Sequence, residues 1–198
     1  MSKDSTEIDP VIKKALQNNQ YIALDIGGGK NPEPNHINVD VRETPEVDIV
    51  APAGDLPIPD GTVSRIYANS LIPHLNNPFE VFSEWTRVLE KGGEIVVKAT
   101  HANSTGIRDD ADHKLYSWTS ETPEYFSGDM FQYYISDSSL ELKEVDLVGW
   151  CRPYRWWLRP ISWTFGKFIN FVSNDMADEF MKLPLAGGRV TARYEKED

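Results

Sequence analysis

Short apolar runs recur along this chain and constrain its fold more than any other feature of the sequence. They span residues 21–26, 36–41, 47–51, 63–68 and 94–99. Apolar residues occupy both faces of these runs more than they alternate with polar ones, which is typical of central strands in a parallel sheet covered on both sides. The runs therefore predict the α/β class, with a doubly wound and mostly parallel sheet.

Helices are predicted from their start and stop signals. Asp9-Pro10 supplies an N-cap and a proline in the first turn, and Asn18-Asn19 ends that helix. Asn77-Pro78 opens a second helix, whose apolar residues recur every three or four positions and which Gly92-Gly93 ends. A further helix is predicted to begin at 122–124.

Two late segments, 140–148 and 189–194, alternate between apolar and polar residues. Alternation of period two predicts strands with one face buried, and we expect the pair to form an antiparallel edge. With the five earlier runs they complete a seven-stranded sheet in one domain over residues 1–198.

The charge balance excludes some classes of partner. The sequence has 31 acidic and 20 basic residues, a formal net charge of −11, which argues against a surface built to neutralise nucleic-acid phosphates. The single cysteine, Cys151, allows neither an internal disulfide nor a multi-thiolate metal site. No apolar stretch approaches the ~20 residues of a membrane span. Nothing near Met1 resembles a signal sequence, so we expect a soluble, cytoplasmic protein.

Glycine and acidic residues follow the first predicted strands. The first run continues through Asp25 into Gly27-Gly28-Gly29, where glycine allows close backbone approach to a ligand. Asp40 ends the second run, and Asp55 follows the third. Ligands of open α/β sheets collect at the carboxyl ends of strands, and an acid there can accept two ribose hydroxyls. The pattern predicts a nucleotide-type site at this edge.

The motifs together resemble those of class I S-adenosylmethionine-dependent methyltransferases, in the small-molecule branch of that family. The resemblance covers residues 20–100 closely and rests on five segments in order: Leu24–Gly29, Asn38–Asp40, Gly54–Gly61, Ile66–Leu75 and Glu84–Gly93. The last is the most specific, with an acid, Arg-Val-Leu, a basic residue and Gly-Gly before the fifth strand. The resemblance implies a Rossmann-like methyltransferase fold, with S-adenosylmethionine as cofactor.

Family roles carry over by position. The resemblance implies that Asp25, Gly27, Gly28 and Gly29 line the methionine moiety, that Asp40 holds the ribose, and that Val41 also contacts the cofactor. It further implies that Gly54, Asp55 and Leu56 flank the adenine and that Asn69, Ser70 and Leu71 close the pocket floor. Residues 1–19 would form a tail and helix, 20–100 the cofactor-binding half, and 101–198 a substrate and lid half.

The sequence departs from the family pattern at two places. Pro32 and Pro34 lie between Asp25 and Asp40, so the usual helix after the glycine turn can hardly form. Gly28 stands where Cys or Ser is common in the family. A nicotinamide dehydrogenase also pairs a glycine turn with a ribose acid, but its third glycine would fall at Pro32.

Histidines are the candidates for a general base, because only histidine titrates near neutral pH without perturbation. His74 follows the fourth strand, His101 follows the fifth, and His113 with Tyr116 lies in the lid segment. A base is needed only if the acceptor must lose a proton. Nearby Asp109, Asp110 and Asp112 could hold Mg²⁺, although we predict no metal site.

The acceptor and the role of one segment stay open at this stage. We expect a small-molecule or a glycan- or lipid-linked acceptor, and the alternative is an inactive methyltransferase-like binding or assembly module. The insertion 149–188 is rich in aromatic residues, and within it 150–171 combines four Trp with Arg and Lys but no acid. This segment could wall the acceptor pocket, contact a partner or lie on a membrane surface.

Overall fold

The computed structural model of the chain describes residues 8–18, 20–102, 104, 111–114, 118–128, 139–151, 164 and 186–197. The aromatic and basic segment 150–171 and the insertion 149–188 lie almost entirely outside this described part. Their predicted roles therefore stay predictions, as does the division of the chain into halves.

A seven-stranded sheet forms the centre of the structure. Its strands are β1 (Ala23–Ile26), β2 (Ile37–Asp40), β3 (Ile49–Val50), β4 (Val63–Asn69), β5 (Leu89–Thr100), β6 (Leu140–Cys151) and β7 (Ala186–Lys196), in the spatial order β3-β2-β1-β4-β5-β7-β6. The first five strands pair in parallel, and β7 pairs antiparallel with both β5 and β6. The predicted mostly parallel sheet with an antiparallel edge is confirmed.

Two α-helices begin where the sequence predicts. In α1 (Pro10–Gln17), Asp9 is the N-cap and its carboxylate accepts from the Val11 N–H at 2.8 Å. In α2 (Pro78–Val88), the Asn77 side chain caps the first turn. A one-turn 3₁₀ helix occupies Ile72–His74, and another replaces the predicted third helix at Thr122–Phe126.

The end of α2 differs from the prediction. The helix stops at Val88, before Gly92-Gly93, because the Arg87 and Val88 carbonyls accept hydrogen bonds from the Gly61 and Thr62 N–H groups. Leu89 is then fully buried and pairs with Val63 at the start of β5. The two glycines lie instead in an irregularity of that strand.

The connection from β1 to β2 contains no helix. Every residue of 27–36 is described, and only turns and bends occur there. This outcome confirms the prediction from Pro32 and Pro34, since proline removes helix hydrogen bonds and restricts the residue before it.

The core lies on the sheet faces under α1, α2 and the Thr122–Phe126 helix. Aromatic rings connect these parts: Phe82 stacks on Phe126 at 4.3 Å and meets Tyr194 edge-on at 5.5 Å. The buried Tyr194 hydroxyl donates to the Pro123 carbonyl at 3.0 Å. Among the described residues no helix is long and apolar enough to cross a membrane.

Candidate functional site

A pocket of about 410 Å³ opens at the carboxyl ends of β1, β2 and β4. This is the edge at which open α/β sheets bind their ligands. Residues from the ends of these strands and from the segments that follow the strands line it: Ile26, Gly27, Val39, Asp40, Val41, Arg42, Ala51, Ala53, Asn69, Ser70, Leu71, His74 and Asp112.

The glycine turn forms one wall of the pocket. Gly27 has a φ of +79°, donates its N–H to the Val39 carbonyl at 2.7 Å, and leaves 3.0 Å between the position of a Cβ and Leu71 Cδ1. A side chain there would be strained and would press on the pocket floor. The turn therefore brings backbone, without side chains, to the cavity.

Gly28 lies over two buried polar side chains. A Cβ on this residue would be 2.5 Å from Asn38 Oδ1 and 2.6 Å from Asp25 Oδ2. With those neighbours, neither the Cys nor the Ser that is common at this position in the family would fit without a shift. The glycine at this position therefore fits the two buried side chains beside it.

Asp25 is buried beside the glycine turn and does not line the pocket. Its Oδ2 accepts the Glu33 N–H at 2.7 Å, while Oδ1 is buried without a hydrogen-bond partner among the described residues. Burial raises the pKa of the Asp25 carboxyl, and the Glu33 N–H opposes that rise. Its predicted direct contact with a methionine moiety stays a prediction.

Asn38 is a structural residue of the site that the sequence analysis missed. It is fully buried in β2, and its Nδ2 donates to the Gly29 carbonyl at 2.8 Å and to the Glu46 carbonyl at 2.7 Å. One side chain thereby joins the connections before and after β2. The available signal was a polar amide inside an apolar run, which is costly to bury unless it is hydrogen-bonded.

Asp40 reaches the pocket at the end of β2, as predicted, but Arg42 is paired with it. Asp40 Oδ1 accepts from the Arg42 N–H at 2.9 Å and from Nε at 3.1 Å, and Oδ2 accepts from Nη2 at 3.1 Å. The side-chain hydrogen bonds from Arg42 hold the pKa of Asp40 below its ordinary value. Sequence reasoning did not single out Arg42.

An apolar wall faces the acid. Val41 lines the pocket and is 65% exposed, with Val39, Ala51 and Ala53 beside it. The expected adenine contacts Gly54, Asp55 and Leu56 do not line this pocket: Gly54 and Asp55 are exposed, and Leu56 is buried in the core. Ala51 and Ala53, a few positions earlier after β3, are the residues that reach the cavity.

The predicted floor residues Asn69, Ser70 and Leu71 line the pocket. Ser70 has a φ of +60°, an uncommon conformation for a residue with a side chain, and its N–H donates to the Lys98 carbonyl at 2.7 Å. Its hydroxyl donates to Asn69 Oδ1 at 3.2 Å. The sharp turn after β4 thus gathers polar groups at the pocket floor.

His74 stands at the pocket rim beside two lid residues. Its Nδ1 lies 3.4 Å from Asp112 Oδ2, and its ring meets the His113 ring edge-on at 4.7 Å. The Lys114 N–H donates to the Pro73 carbonyl at 2.6 Å and joins this part of the lid to the 3₁₀ helix. Of the predicted bases, His74 and His113 are therefore brought together, and His74 lines the cavity.

His101 lies elsewhere. It is fully buried and does not line the pocket. Tyr116, Asp109 and Asp110 lie outside the described residues, so their predicted roles stay predictions. The described residues contain no group of three or more His, Cys, Asp or Glu side chains that could hold a metal ion.

A family model described as a methyltransferase domain matches residues 13–97. None of the curated proteins matches the chain. The match begins within α1, covers most of β5 and includes the pocket wall from Gly27 to Leu71.

Solved structures resemble the chain over nearly its whole length. A protein of Bacillus halodurans described as a methyltransferase has a TM-score of 0.59 at 14% identity, covering 94% of this chain and 99% of that one. A SAM-dependent methyltransferase from Archaeoglobus fulgidus has a TM-score of 0.53 at 16% identity, covering 95% and 94%.

A geranyl diphosphate C-methyltransferase from Streptomyces coelicolor has a TM-score of 0.52 at 12% identity, covering 89% of this chain and 71% of its own. At these identities the likenesses show the fold alone, and the family match adds the domain type. Residues 13–97 therefore match a methyltransferase domain, and the fold of the chain is the one found in solved S-adenosylmethionine-dependent methyltransferases, consistent with a class I methyltransferase.

Proposed function

We propose that the pocket between the glycine turn, Asp40 and Asn69–Leu71 holds S-adenosylmethionine and that the chain transfers its methyl group to a small-molecule acceptor. The observation that carries the proposal is the placement of Asp40 beside an open apolar wall at the carboxyl ends of parallel strands. The lid side of the pocket, where His74 and Asp112 lie, would receive the acceptor.

The residues of the pocket fit this cofactor. The Asp40 carboxylate can accept both hydroxyls of a ribose. Val41, two-thirds exposed, together with Ala51 and Ala53 offers an apolar surface of the kind that an adenine ring covers. Gly27 also lines the pocket, so the amino-acid end of the ligand would meet backbone there.

When bound, the sulfonium of the cofactor supplies both the methyl group and a good leaving group. The protein then has to hold the acceptor in line and exclude competing nucleophiles. Asp112 Oδ2 lies 3.4 Å from His74 Nδ1, so a proton on Nδ1 would face the carboxylate and Nε2 would be left to accept a proton. His74 would take a proton from the acceptor, with Asp112 as its positioning residue.

This assignment favours an acceptor whose reactive atom carries a proton, such as a hydroxyl or an amine. A small molecule is favoured because the Streptomyces coelicolor neighbour is described with geranyl diphosphate, a small substrate. A glycan- or lipid-linked acceptor would have to enter from the same lid side. The cytoplasmic location expected from the sequence stays a prediction.

Calorimetric titration tests the cofactor site. S-Adenosylmethionine and S-adenosylhomocysteine are titrated into the wild type, Asp40→Asn and the control Glu43→Gln, which removes an exposed acid that does not line the pocket. We expect about two- to fivefold weaker binding in Asp40→Asn, since the amide accepts the ribose hydroxyls less well than a carboxylate, while the hydrogen bonds that Arg42 already makes to Asp40 offset part of the gain in the wild type. Well-folded wild type that binds neither ligand would leave the inactive-module alternative or a site that only a partner completes.

The base is tested separately from the cofactor site. After a screen of small-molecule acceptors by S-adenosylhomocysteine release, His74→Asn should lower kcat by roughly 10²–10⁴-fold and leave S-adenosylmethionine affinity within about twofold. Asp112→Asn should show a smaller loss and a shifted pH profile, because it alters only the orientation of His74. An unchanged kcat in His74→Asn contradicts the assignment.

A further inference from the structure

The Asp40 carboxylate accepts three hydrogen bonds, all from Arg42. One comes from the backbone N–H at 2.9 Å, and the other two come from Nε and Nη2 of the side chain, each at 3.1 Å and one on each carboxylate oxygen. A carboxylate offers about four lone-pair sites. Two ribose hydroxyls therefore cannot both be added to this arrangement.

Of the three donors, only the two of the guanidinium can be exchanged. The Arg42 N–H group belongs to the chain just after β2, and it is held by the backbone. The Arg42 side chain, by contrast, is 72% exposed and lines the pocket. Its fork presents two parallel donors to the carboxylate, in the manner in which a pair of vicinal hydroxyls would.

We propose that the Arg42 side chain occupies the ribose subsite of the free protein and that the cofactor binds by exchanging its two ribose hydroxyls for the two guanidinium donors. The inference rests on the proposed role of Asp40. Arg42 would then lower the affinity for the cofactor, because its guanidinium competes with the ribose hydroxyls for the Asp40 carboxylate.

The position of Gly29 supports the same arrangement. A Cβ on this residue would lie 3.0 Å from Arg42 Nη2 and 3.7 Å from Asp40 Oδ2, and Gly29 has a φ of +55°. The guanidinium thus lies beside the glycine turn, in the part of the pocket where the ligand would bind. The exchange is feasible because the Arg42 side chain is 72% exposed and can move its charge into solvent, while the ribose hydroxyls would then supply the donors of the Asp40 carboxylate, which is only 4% exposed.

The exchange also alters what the site can distinguish. In the wild type each hydroxyl gained costs one guanidinium hydrogen bond, so a ribose should be favoured only weakly over a sugar that lacks both hydroxyls. Without the guanidinium, the same hydroxyls would meet unoccupied lone pairs of a carboxylate. Removal of Arg42 should therefore increase both affinity and ribose selectivity.

Calorimetry with S-adenosylhomocysteine, on wild type, Arg42→Met and Lys30→Met, tests the inference. This probe has no sulfonium charge, which limits the effect of removing a distant positive charge. Lys30→Met is the matched control: it removes an exposed cation of the adjoining connection that does not line the pocket. We expect Arg42→Met to bind about two- to fivefold more tightly than wild type, and Lys30→Met to bind as wild type does.

A second measurement uses adenosine and 2′,3′-dideoxyadenosine as competitors of S-adenosylhomocysteine binding. The inhibition constant of dideoxyadenosine divided by that of adenosine should be larger in Arg42→Met than in wild type. Arg42→Lys, which keeps the charge but loses the fork, should be intermediate and replaces Arg42→Met if that variant does not fold.

Equal or weaker S-adenosylhomocysteine binding in Arg42→Met, with wild type still binding, overturns the exchange and leaves the proposed function intact. Failure of all folded variants to bind the probe overturns both. An unchanged ratio of the two nucleosides also contradicts the exchange, because the hydroxyls would then not compete with the guanidinium.

Discussion

Gly28 shows how closely a single position can be fitted to the residues beneath it. It contacts the side chains of Asp25 and Asn38, two polar residues buried in neighbouring strands. The family commonly has a small side chain at this position, and here the volume is taken by those polar groups. A side chain at position 28 should therefore lower the stability of the protein even when no ligand is bound.

We expect Gly28→Ala to lower the free energy of unfolding by roughly 1–3 kcal/mol, because overpacking moves buried groups from their positions. Denaturant unfolding measures the loss. Gly54→Ala is the stability control: its Cβ would make an ordinary contact with Val81 at 3.4 Å, so a change within about 0.5 kcal/mol is expected. Equal stability of the two variants would show that Gly28 is not tightly packed.

Asp25 gives the fold a pH dependence of definite sign. Burial raises its folded-state pKa, so the folded protein holds that proton more tightly than the unfolded chain does. The resulting stabilisation is fully present below the unfolded value of ~3.9 and is lost as the pH rises through the folded pKa. At neutral pH the ionised carboxylate is therefore a cost to the fold.

Replacing Asp25 by Asn removes this cost and keeps an oxygen that can accept the Glu33 N–H. We expect the free energy of unfolding of Asp25→Asn, relative to that of wild type, to be higher at pH 7 than at pH 4. Urea unfolding at both pH values measures this difference. Glu43→Gln, at an exposed carboxyl, controls for the loss of one negative charge. A stability difference that does not change with pH contradicts the burial of the charge.

At the scale of elements, one cation joins α2 to the connection between β3 and β4. Arg87 donates to both Glu84 oxygens at 2.7 and 2.8 Å, to the Ile58 and Leu56 carbonyls, and to Asp60. Glu84 in turn accepts the Leu56 N–H at 2.7 Å. These contacts raise the pKa of Arg87 above its ordinary value, chiefly through Glu84.

Loss of that cation leaves carbonyls and a carboxylate without their donors. We expect Arg87→Met to lower the free energy of unfolding by about 1–3 kcal/mol. Arg65→Met, at a single ion pair with Glu94 at 2.9 Å, should cost no more than about 1 kcal/mol. Thermal melting of the two variants side by side measures the difference, and equal losses would mean that Arg87 acts only as a surface charge.

Over the whole molecule, the last strand completes the sheet. β7 lies between β5 and β6 and pairs with both, from Arg189 to Glu195 with β5 and from Ala186 to Lys196 with β6. It also carries Tyr194, which packs on Phe82 of α2. The C-terminal residues are thus internal to the fold.

Truncation after residue 185 should abolish cooperative unfolding, because β5 and β6 would lose their shared partner and Tyr194 would leave the core. Circular dichroism melting measures this, and addition of a peptide of residues 186–198 should restore a transition. Removal of residue 198 alone is the control. A cooperative melt of the truncated chain near the wild-type temperature contradicts the role of β7.

The sequence by itself determined the fold class, the two helix starts and the strands, because these depend on local signals. Apolar runs, caps at Asp9 and Asn77, and prolines between Asp25 and Asp40 act within a few residues of the backbone they shape. The glycine turn and Asp40 were also predicted, since strand ends of a parallel sheet meet at one edge, whereas Asn69–Leu71 were implied by the family resemblance.

Only the tertiary structure decided which side chains reach the pocket. Asp25 lies beneath the turn, and Ala51 and Ala53 line the pocket where Gly54 and Leu56 had been expected. Arg42 pairs with Asp40, and Asp112 approaches His74 across the lid. These placements depend on the direction of each side chain and on contacts between distant segments. Local sequence patterns carry no information about either.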